Sequence, residues 1–575
     1  MVCRHRVLQY FIHHKKETLL WILVAAFWLA NLAYRPTVWT VLGTVSVLCS
    51  GFGCFFLLTG KWKTSLGWLT LIGLGLWLLN SGKHIFWKDF LKFEDLTIFA
   101  DPANFETLLH YPLESALAGF LVCVLLFLCK KTFGVDSSCA RKGRRLFVSL
   151  FSIALGVAGA CVAFQNGQQQ WMVNIVKGSN VVANLLMSSR IHYVSPAANL
   201  ASKEHFPTVI TTNGDRKEKS DIVLILQEST FNPRRLKGVD PRTLPKLEMV
   251  DSPWSTESGA LRVHTYGGGT WRSEFSALTG LSSDDFGVLA GTVFYSAVFH
   301  LQDSLWSRLK KAGYRIIVVT PFAEGSYNSG KAYRALGADK IIHVTDLGWK
   351  GSRRKNIWNI PTGKILEMVR TVLDEKYDRP VAIYALTMKE HGPYPEKENH
   401  RLEADESNVG SAALGRVAQY VDRLEQASED VVKFDRWVQE RKRPTVLVRF
   451  GDHQPSLGWS GGYRTTQARP EYITDYTLVD NQVKGRERSF PLTDIVFLPS
   501  LILQHAGVPL GPFYETTAMM RDLCQGRYQD CPDSRLLKAY QNEIYVNQAI
   551  AKWPVLVDSN SWSQLCVIPD VPQYR

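Results

Sequence analysis

The chain has 575 residues, of which 46% are apolar and 21% charged, with a formal net charge of +13 at pH 7. No aromatic-basic interleaving of the kind that grips nucleic acid is present, so the surplus charge reads as membrane-flanking and solvated surface charge, with no nucleic-acid partner. Beyond about residue 165 the composition is that of an ordinary globular protein, without internal repeats or low-complexity tracts.

The first 165 residues hold five strongly apolar stretches, about 18–34, 38–58, 66–79, 113–128 and 146–164. Each is long enough to cross or nearly cross a bilayer, the third being the shortest. Charges are confined to their flanks, which favours five membrane spans over a buried helical core. Arg4, Arg6, Lys15 and Lys16 precede the first span, Lys61 and Lys63 separate the second from the third, and Lys130, Lys131, Arg141, Lys142, Arg144 and Arg145 separate the fourth from the fifth. Threaded in order, these groups share one side, which the positive-inside rule makes cytoplasmic; the remainder of the chain then lies outside. A cleavable signal peptide fits poorly, because four more apolar stretches follow the first. Lys83–Pro112 reads equally as an interfacial amphipathic segment or an ordinary outside loop.

Residues 166–220 read as a bridging linker that ends in the polar run Thr211–Ser220, and residues 221–575 as one exported domain. Seven of the ten cysteines precede residue 165, and only Cys524, Cys531 and Cys566 follow. Cys524 and Cys531 can form a local disulfide in an oxidising compartment, and no spacing suggests a cysteine zinc site.

In the exported part, continuous apolar runs at Asp221–Gln227, Arg315–Thr320, Val381–Leu386, Thr445–Phe450 and Asp494–Leu498 predict strands. Helical patterns fall between them, at Ser304–Ala312, Gly363–Lys376 and Ala412–Arg441. Alternating strands and helices of this kind predict an α/β fold, a doubly wound and mostly parallel sheet. Ligands in such sheets collect at the carboxyl ends of strands. Glu228 stands there after the first strand, and Asp452 and His453 follow the strand ending at Phe450. A carboxylate at a strand end is commonly a helix cap or salt-bridge partner, but together these side chains offer oxygen and nitrogen donors suited to a divalent cation.

The run Gly267-Gly268-Gly269-Thr270 precedes a helical pattern, so Thr270 falls near a helix N-terminus that attracts anions. It is either a simple cap or a hydroxyl that, held beside a cation, ionises and attacks phosphorus or sulfur. His391, in His391-Gly392-Pro393-Tyr394-Pro395, follows a strand and is placed to protonate a leaving group or hold a phosphate.

Taken together, Glu228-Ser229-Thr230, Gly268-Gly269-Thr270, His391-Gly392-Pro393-Tyr394-Pro395 and Gly451-Asp452-His453-Gln454-Pro455 resemble the alkaline phosphatase and sulfatase superfamily. The resemblance is to its membrane branch, that of lipoteichoic acid synthases and of phosphoglycerol and phosphoethanolamine transferases, and it covers about Asp221–Gln504. It implies Glu228, Thr270, Asp452 and His453 as ligands of zinc or manganese, Thr270 also as the nucleophile, and His391 as a substrate-phosphate and acid-base residue. Tyr327 and Asn328 match part of a substrate-binding run, in which Tyr and Ser here replace the family's Trp and Arg.

The implied reaction moves a phospho-alcohol headgroup from a phospholipid to an envelope glycan or lipopolysaccharide acceptor through a phosphothreonine, at the outer face of the inner membrane. Phosphoethanolamine and phosphoglycerol both remain open. The alternatives are a hydrolase of the same fold, against which the missing Cys/Ser-x-Pro-x-Arg motif counts for sulfate esters, and a non-catalytic lipid-binding sensor, against which the full ligand set counts.

Overall fold

The structure, a computed structural model, describes residues 15–87, 89–93, 95, 96, 116, 119, 120, 123, 127, 141–173, 179–189, 205–207, 219–349, 360–375, 377–404, 410–487 and 489–552. Four long helices open the described chain: α1 (Lys15–Ala33), α2 (Val38–Thr59), α3 (Trp62–Trp87) and α4 (Lys142–Val173). Among the described residues, three segments are long and apolar enough to cross a membrane, Val38–Thr59, Trp62–Ile85 and Lys142–Gly167. They match three of the five expected spans. The shortest apolar stretch, 66–79, sits inside a 26-residue helix, whereas the apolar part of α1, Leu19–Ala33, is the one that falls short. Most of the 113–128 stretch lies outside the described residues.

Helices α2 and α4 meet along small residues. A Cβ added at Gly156 or Gly159 would collide with Ser46 or Ser50, so these positions let two backbones approach closely where lipid offers no hydrophobic drive for helix pairing. The stretch expected as a plain linker is partly built: α4 continues to Val173, and α5 (Val181–Ser188) follows. Asn180 caps α5 by accepting from the Ala183 amide at 2.9 Å and from the Thr44 hydroxyl of α2 at 3.0 Å, which ties the bridge to the anchor.

Eight strands form one sheet in the order β4-β3-β5-β1-β6-β7-β2-β8. They are β1 (Asp221–Gln227), β2 (Glu257–Arg262), β3 (Arg315–Thr320), β4 (Lys340–His343), β5 (Val381–Leu386), β6 (Thr445–Gly451), β7 (Ile473–Asp480) and β8 (Thr493–Asp494). Every pairing is parallel except those of β7, which runs against both β6 and β2. The mostly parallel sheet was thus legible, but Asp494–Leu498 is no strand. After the two-residue β8 it turns into a short 3-10 segment and then α11 (Leu498–His505), with Pro499 at the helix start.

The continuous apolar run of β1 follows from burial on both faces, since successive side chains point to opposite sides. Ile222, Leu224 and Leu226 join one core with Phe275 and Leu278 of α6 (Thr270–Thr279). Val223 and Ile225 join the other, with Val369 of α9 (Thr362–Asp374) and Val417, Tyr420 and Val431 of α10 (Ser411–Gln439). Helices α7 (Leu305–Lys311), α8 (Ser329–Leu336), α12 (Gly511–Leu523) and α13 (Ser534–Asn542) complete the described domain. Cys524 and Cys531 are bonded to each other.

Candidate metal and nucleophile site

The register of β1 and β6 sets the site. Gln227 lies level with Gly451, so the residues that follow each strand, Glu228 and Asp452-His453, leave the sheet side by side. Gly451 is required there: a Cβ would run into the carbonyl of Thr230. The Thr474 hydroxyl of β7 donates to the Gly451 carbonyl at 2.8 Å and fixes the turn from the other side.

Asp452 is fully buried, and its Oδ1 accepts from the amides of Ser229 at 2.8 Å and His453 at 2.9 Å. Ser273 of α6 donates to the Asp452 carbonyl at 2.5 Å. Glu228, also fully buried, accepts on Oε1 from the Ser229 hydroxyl at 3.0 Å. Its Oε2 accepts from the Thr270 hydroxyl at 3.3 Å. Thr270 is the first residue of α6, and Gly267, Gly268 and Gly269 all take positive φ (68°, 153° and 78°) to turn the chain into it.

The donors converge with their charges uncompensated. His453 Nε2 lies 3.2 Å from Asp452 Oδ2 and 3.4 Å from Glu228 Oε1. Because its Nδ1 faces the Gln454 carbonyl at 3.1 Å, which can only accept, the neutral ring presents a lone pair at Nε2 towards two carboxylates. Asp452 Oδ2 and His453 Nε2 are buried without a hydrogen-bond partner. Burial first and Asp452 second hold the Glu228 carboxyl well above its usual range; burial raises Asp452 as well. Like groups this close, in a site with orphaned donor atoms, fit a divalent cation, and Glu228, Asp452 and His453 have the required spacing.

His391 closes one side. Its Nε2 is 4.0 Å from Glu228 Oε1, while Nδ1 donates to the Gly392 carbonyl at 2.6 Å, so Nε2 is the nitrogen offered to the cleft. Arg423 of α10 donates to the carbonyls of His391 and Pro393 and holds this loop. Beneath it, buried Glu390 accepts from Thr362 at 2.5 Å and Thr387 at 3.0 Å, and Thr387 in turn accepts from the Glu228 amide at 3.2 Å.

All five of the residues expected from strand ends and the helix start are therefore brought together. Tyr327 and Asn328 stand differently. The Tyr327 ring stacks on Trp271, the neighbour of Thr270, with centroids 5.8 Å apart, and its hydroxyl lies 3.5 Å from that of Tyr333. Asn328 donates its side-chain amide to the Phe294 carbonyl at 2.7 Å. Both take positive φ, 40° and 62°, and build a wall beside α6.

Glu274, one turn beyond Thr270, is fully buried as well. Its Oε1 accepts from the hydroxyls of Tyr333 at 2.5 Å and Tyr384 at 2.8 Å, and burial pushes its carboxyl up to about 7. The two tyrosines come from α8 and β5, so no local signal marked it.

Residues 220–508 match the sulfatase family model. The chain belongs to that family, and its described residues add three helices long and apolar enough to cross a membrane. It is 29% identical over 554 residues to an uncharacterized protein of Haemophilus influenzae, covering 93% of this chain and 98% of that one. It is 25% identical over 343 residues to a putative cyclic beta-1,2-glucan modification protein of Rhizobium meliloti, covering 56% of this chain and 50% of that one. Among solved structures it is similar to the phosphoglycerol transferase of Streptococcus pyogenes in complex with sn-glycerol-1-phosphate, at 18% identity and a TM-score of 0.48, covering 59% of this chain and 92% of that one. The lipooligosaccharide phosphoethanolamine transferase A of Neisseria meningitidis is also similar, at 14% identity and a TM-score of 0.45, over 81% of this chain and 95% of that one.

Proposed function

We propose that the protein is a membrane-anchored, metal-dependent transferase that moves a phospho-alcohol headgroup, phosphoethanolamine or phosphoglycerol, from a phospholipid to a glycan or lipopolysaccharide of the cell envelope. The observation that carries this reading is the Thr270 hydroxyl, at a helix N-terminus and 3.3 Å from Glu228, beside a buried carboxylate and imidazole with orphaned donor atoms. Glu228, Thr270, Asp452 and His453 would hold the cation, zinc or manganese, whose charge lowers the pKa of the threonine hydroxyl and neutralises the phosphoryl oxygens.

The chain's own residues supply the rest. Glu228 orients the Thr270 hydroxyl, and the N-terminus of α6 faces the negative charge of the phosphate. Thr270 Oγ1 passes its proton to Glu228 Oε2, 3.3 Å away, and forms the new bond to phosphorus as the bond to the diacylglycerol oxygen breaks. His391, protonated, gives that oxygen its proton from Nε2. In the second half the acceptor hydroxyl loses its proton to His391 and attacks the phosphothreonine, and Glu228 returns its proton to the departing Thr270 oxygen. A donor that stays in the bilayer explains an anchored catalytic domain, placed on the periplasmic side of the inner membrane, because tethering turns an encounter in three dimensions into one along a surface. The Rhizobium meliloti relatives, named for cyclic glucan modification and capsular polysaccharide biosynthesis, support a glycan acceptor.

The test is to supply membranes with headgroup-labelled phosphatidylethanolamine or phosphatidylglycerol separately and follow the label. Label on an envelope acceptor, lost in Thr270→Ala, is expected. Release of labelled headgroup to water at the same rate with and without acceptor would replace the transferase by a hydrolase.

A further inference from the structure

A second group of metal-ligating side chains lies at the opposite end of the sheet. Glu257 opens β2, Glu487 lies in the loop after β7, and His505 ends α11; their ligand atoms all fall within 4.8 Å of one another. Asp480, beside this group, pairs with Val446 near the amino end of β6. Asp452 follows the carboxyl end of β6, six residues further on, so the two places are separated by about 20 Å along the strand.

Three features distinguish this group from an ordinary surface ion pair. His505 is braced: its Nδ1 donates at 3.0 Å to Oδ2 of Asp480, a fully buried carboxylate whose Oδ1 is occupied by the Gln482 amide at 3.0 Å. That bond turns Nε2 towards Glu487 Oε2, 3.8 Å away, a gap too long for a hydrogen bond and wide enough for an intervening ion. Glu257 is 8% exposed, and among the described residues its carboxylate meets one donor, the Tyr476 hydroxyl, and no cationic group within ion-pairing distance. Arg521 lines the same cleft, but its guanidinium is engaged by Gln504 at 3.0 Å and Asp522 at 3.1 Å. Finally, the Glu487 amide donates to the Thr256 carbonyl at 2.7 Å, which pins the loop carboxylate beside the first residue of β2. The cleft encloses about 450 Å³, room for water molecules to complete a coordination shell.

From this geometry we infer that Glu257, Glu487 and His505 form a second divalent-metal site, of zinc type, with Asp480 as the residue that orients the histidine. One imidazole nitrogen and two carboxylates held by a carboxylate-braced ring match the donor set such ions take, with water in the remaining position. By tying the loop after β7 to β2 and α11, the ion acts on the edge of the sheet, remote from Thr270.

The full-length protein in detergent, stripped with chelator and dialysed against zinc chloride, provides the test, with metal per chain as the readout. Wild type is expected to retain one zinc ion more per chain than His505→Ala or Glu487→Gln, and His453→Ala to lose a different ion, so that His453→Ala combined with Glu487→Gln loses both. Glu487 is half-exposed and serves as the variant that keeps the fold. Zinc should raise the melting temperature of His453→Ala but not of His453→Ala with Glu487→Gln. Equal zinc content in wild type, His505→Ala and Glu487→Gln would overturn the second site.

Discussion

Two buried charged clusters stand three residues apart along the chain, one on β6 and one just past its end, and are built on opposite terms. Arg449 and Asp435 are 1% and 0% exposed, and their charges close on each other: Nε reaches Oδ1 at 2.8 Å and Nη2 reaches Oδ2 at 2.7 Å. The remaining guanidinium hydrogens go to Gln227 at 2.9 Å and the Met249 carbonyl at 3.2 Å. Glu228, Asp452 and His453 are as deeply buried, yet their carboxylates face one another and a lone pair without a compensating side chain. A closed set of partners serves the fold, whereas an open one marks where something else must bind.

The largest effect that would sharpen this contrast is on activity. Thr270→Ala should lower headgroup transfer by about a thousandfold or more, measured with labelled lipid, because the nucleophile is lost. A variant with wild-type turnover would remove the open cluster from the chemistry altogether. Next in size is stability. Asp435→Ala should cost about 3–5 kcal/mol in chemical denaturation by leaving Arg449 buried and unpaired. Asp452→Asn, compared in chelator, should cost nothing or raise the melting temperature, since it removes one of two repelling carboxylates. Equal losses in both variants would erase the distinction.

Glu274 lies between the two cases, satisfied on one oxygen and bare on the other. Its carboxyl is raised by burial to about 7, so the folded state holds a proton that the unfolded chain releases at lower pH. Its stabilising contribution is full below the ordinary glutamate range and is lost as pH rises to about 7, a change of about 3 kcal/mol. Glu274→Gln should flatten the melting temperature across that window, and an unaltered pH slope would show that Glu274 is not the group responsible. Asn328→Ala should have the smallest effect, about 1 kcal/mol of stability and only a few-fold in activity, because its amide serves the Phe294 carbonyl. A loss of activity as large as that of Thr270→Ala would return Asn328 to substrate binding.

What could be read in advance follows the physics of each element. β1, β3, β5 and β6 are buried on both faces and so appear as unbroken apolar runs. β2, with glutamate, serine and arginine, and β7, whose residues mix aspartate and threonine with apolar ones, pair antiparallel and do not. Asp494–Leu498 is apolar because it is buried as a helix entry, a case that periodicity over so short a run does not separate from a strand. That the candidate residues cluster was legible because strand exits and a glycine-rich helix start are local signals. Glu274 and the Glu257, Glu487 and His505 group were not, because the tyrosines on Glu274 arrive from 59 and 110 residues away and the donor to Glu257 from 219, brought in by the pairing of β2 with β7.

Gly451 also limits how this protein can be re-engineered. Any larger residue must push β1 and β6 apart at the Thr230 carbonyl, so a codon library at this position has one workable member. The spacing between the carboxylates of Glu228 and Asp452 is consequently fixed by the main chain, and attempts to accommodate an ion of different radius have to act on the segment after His453.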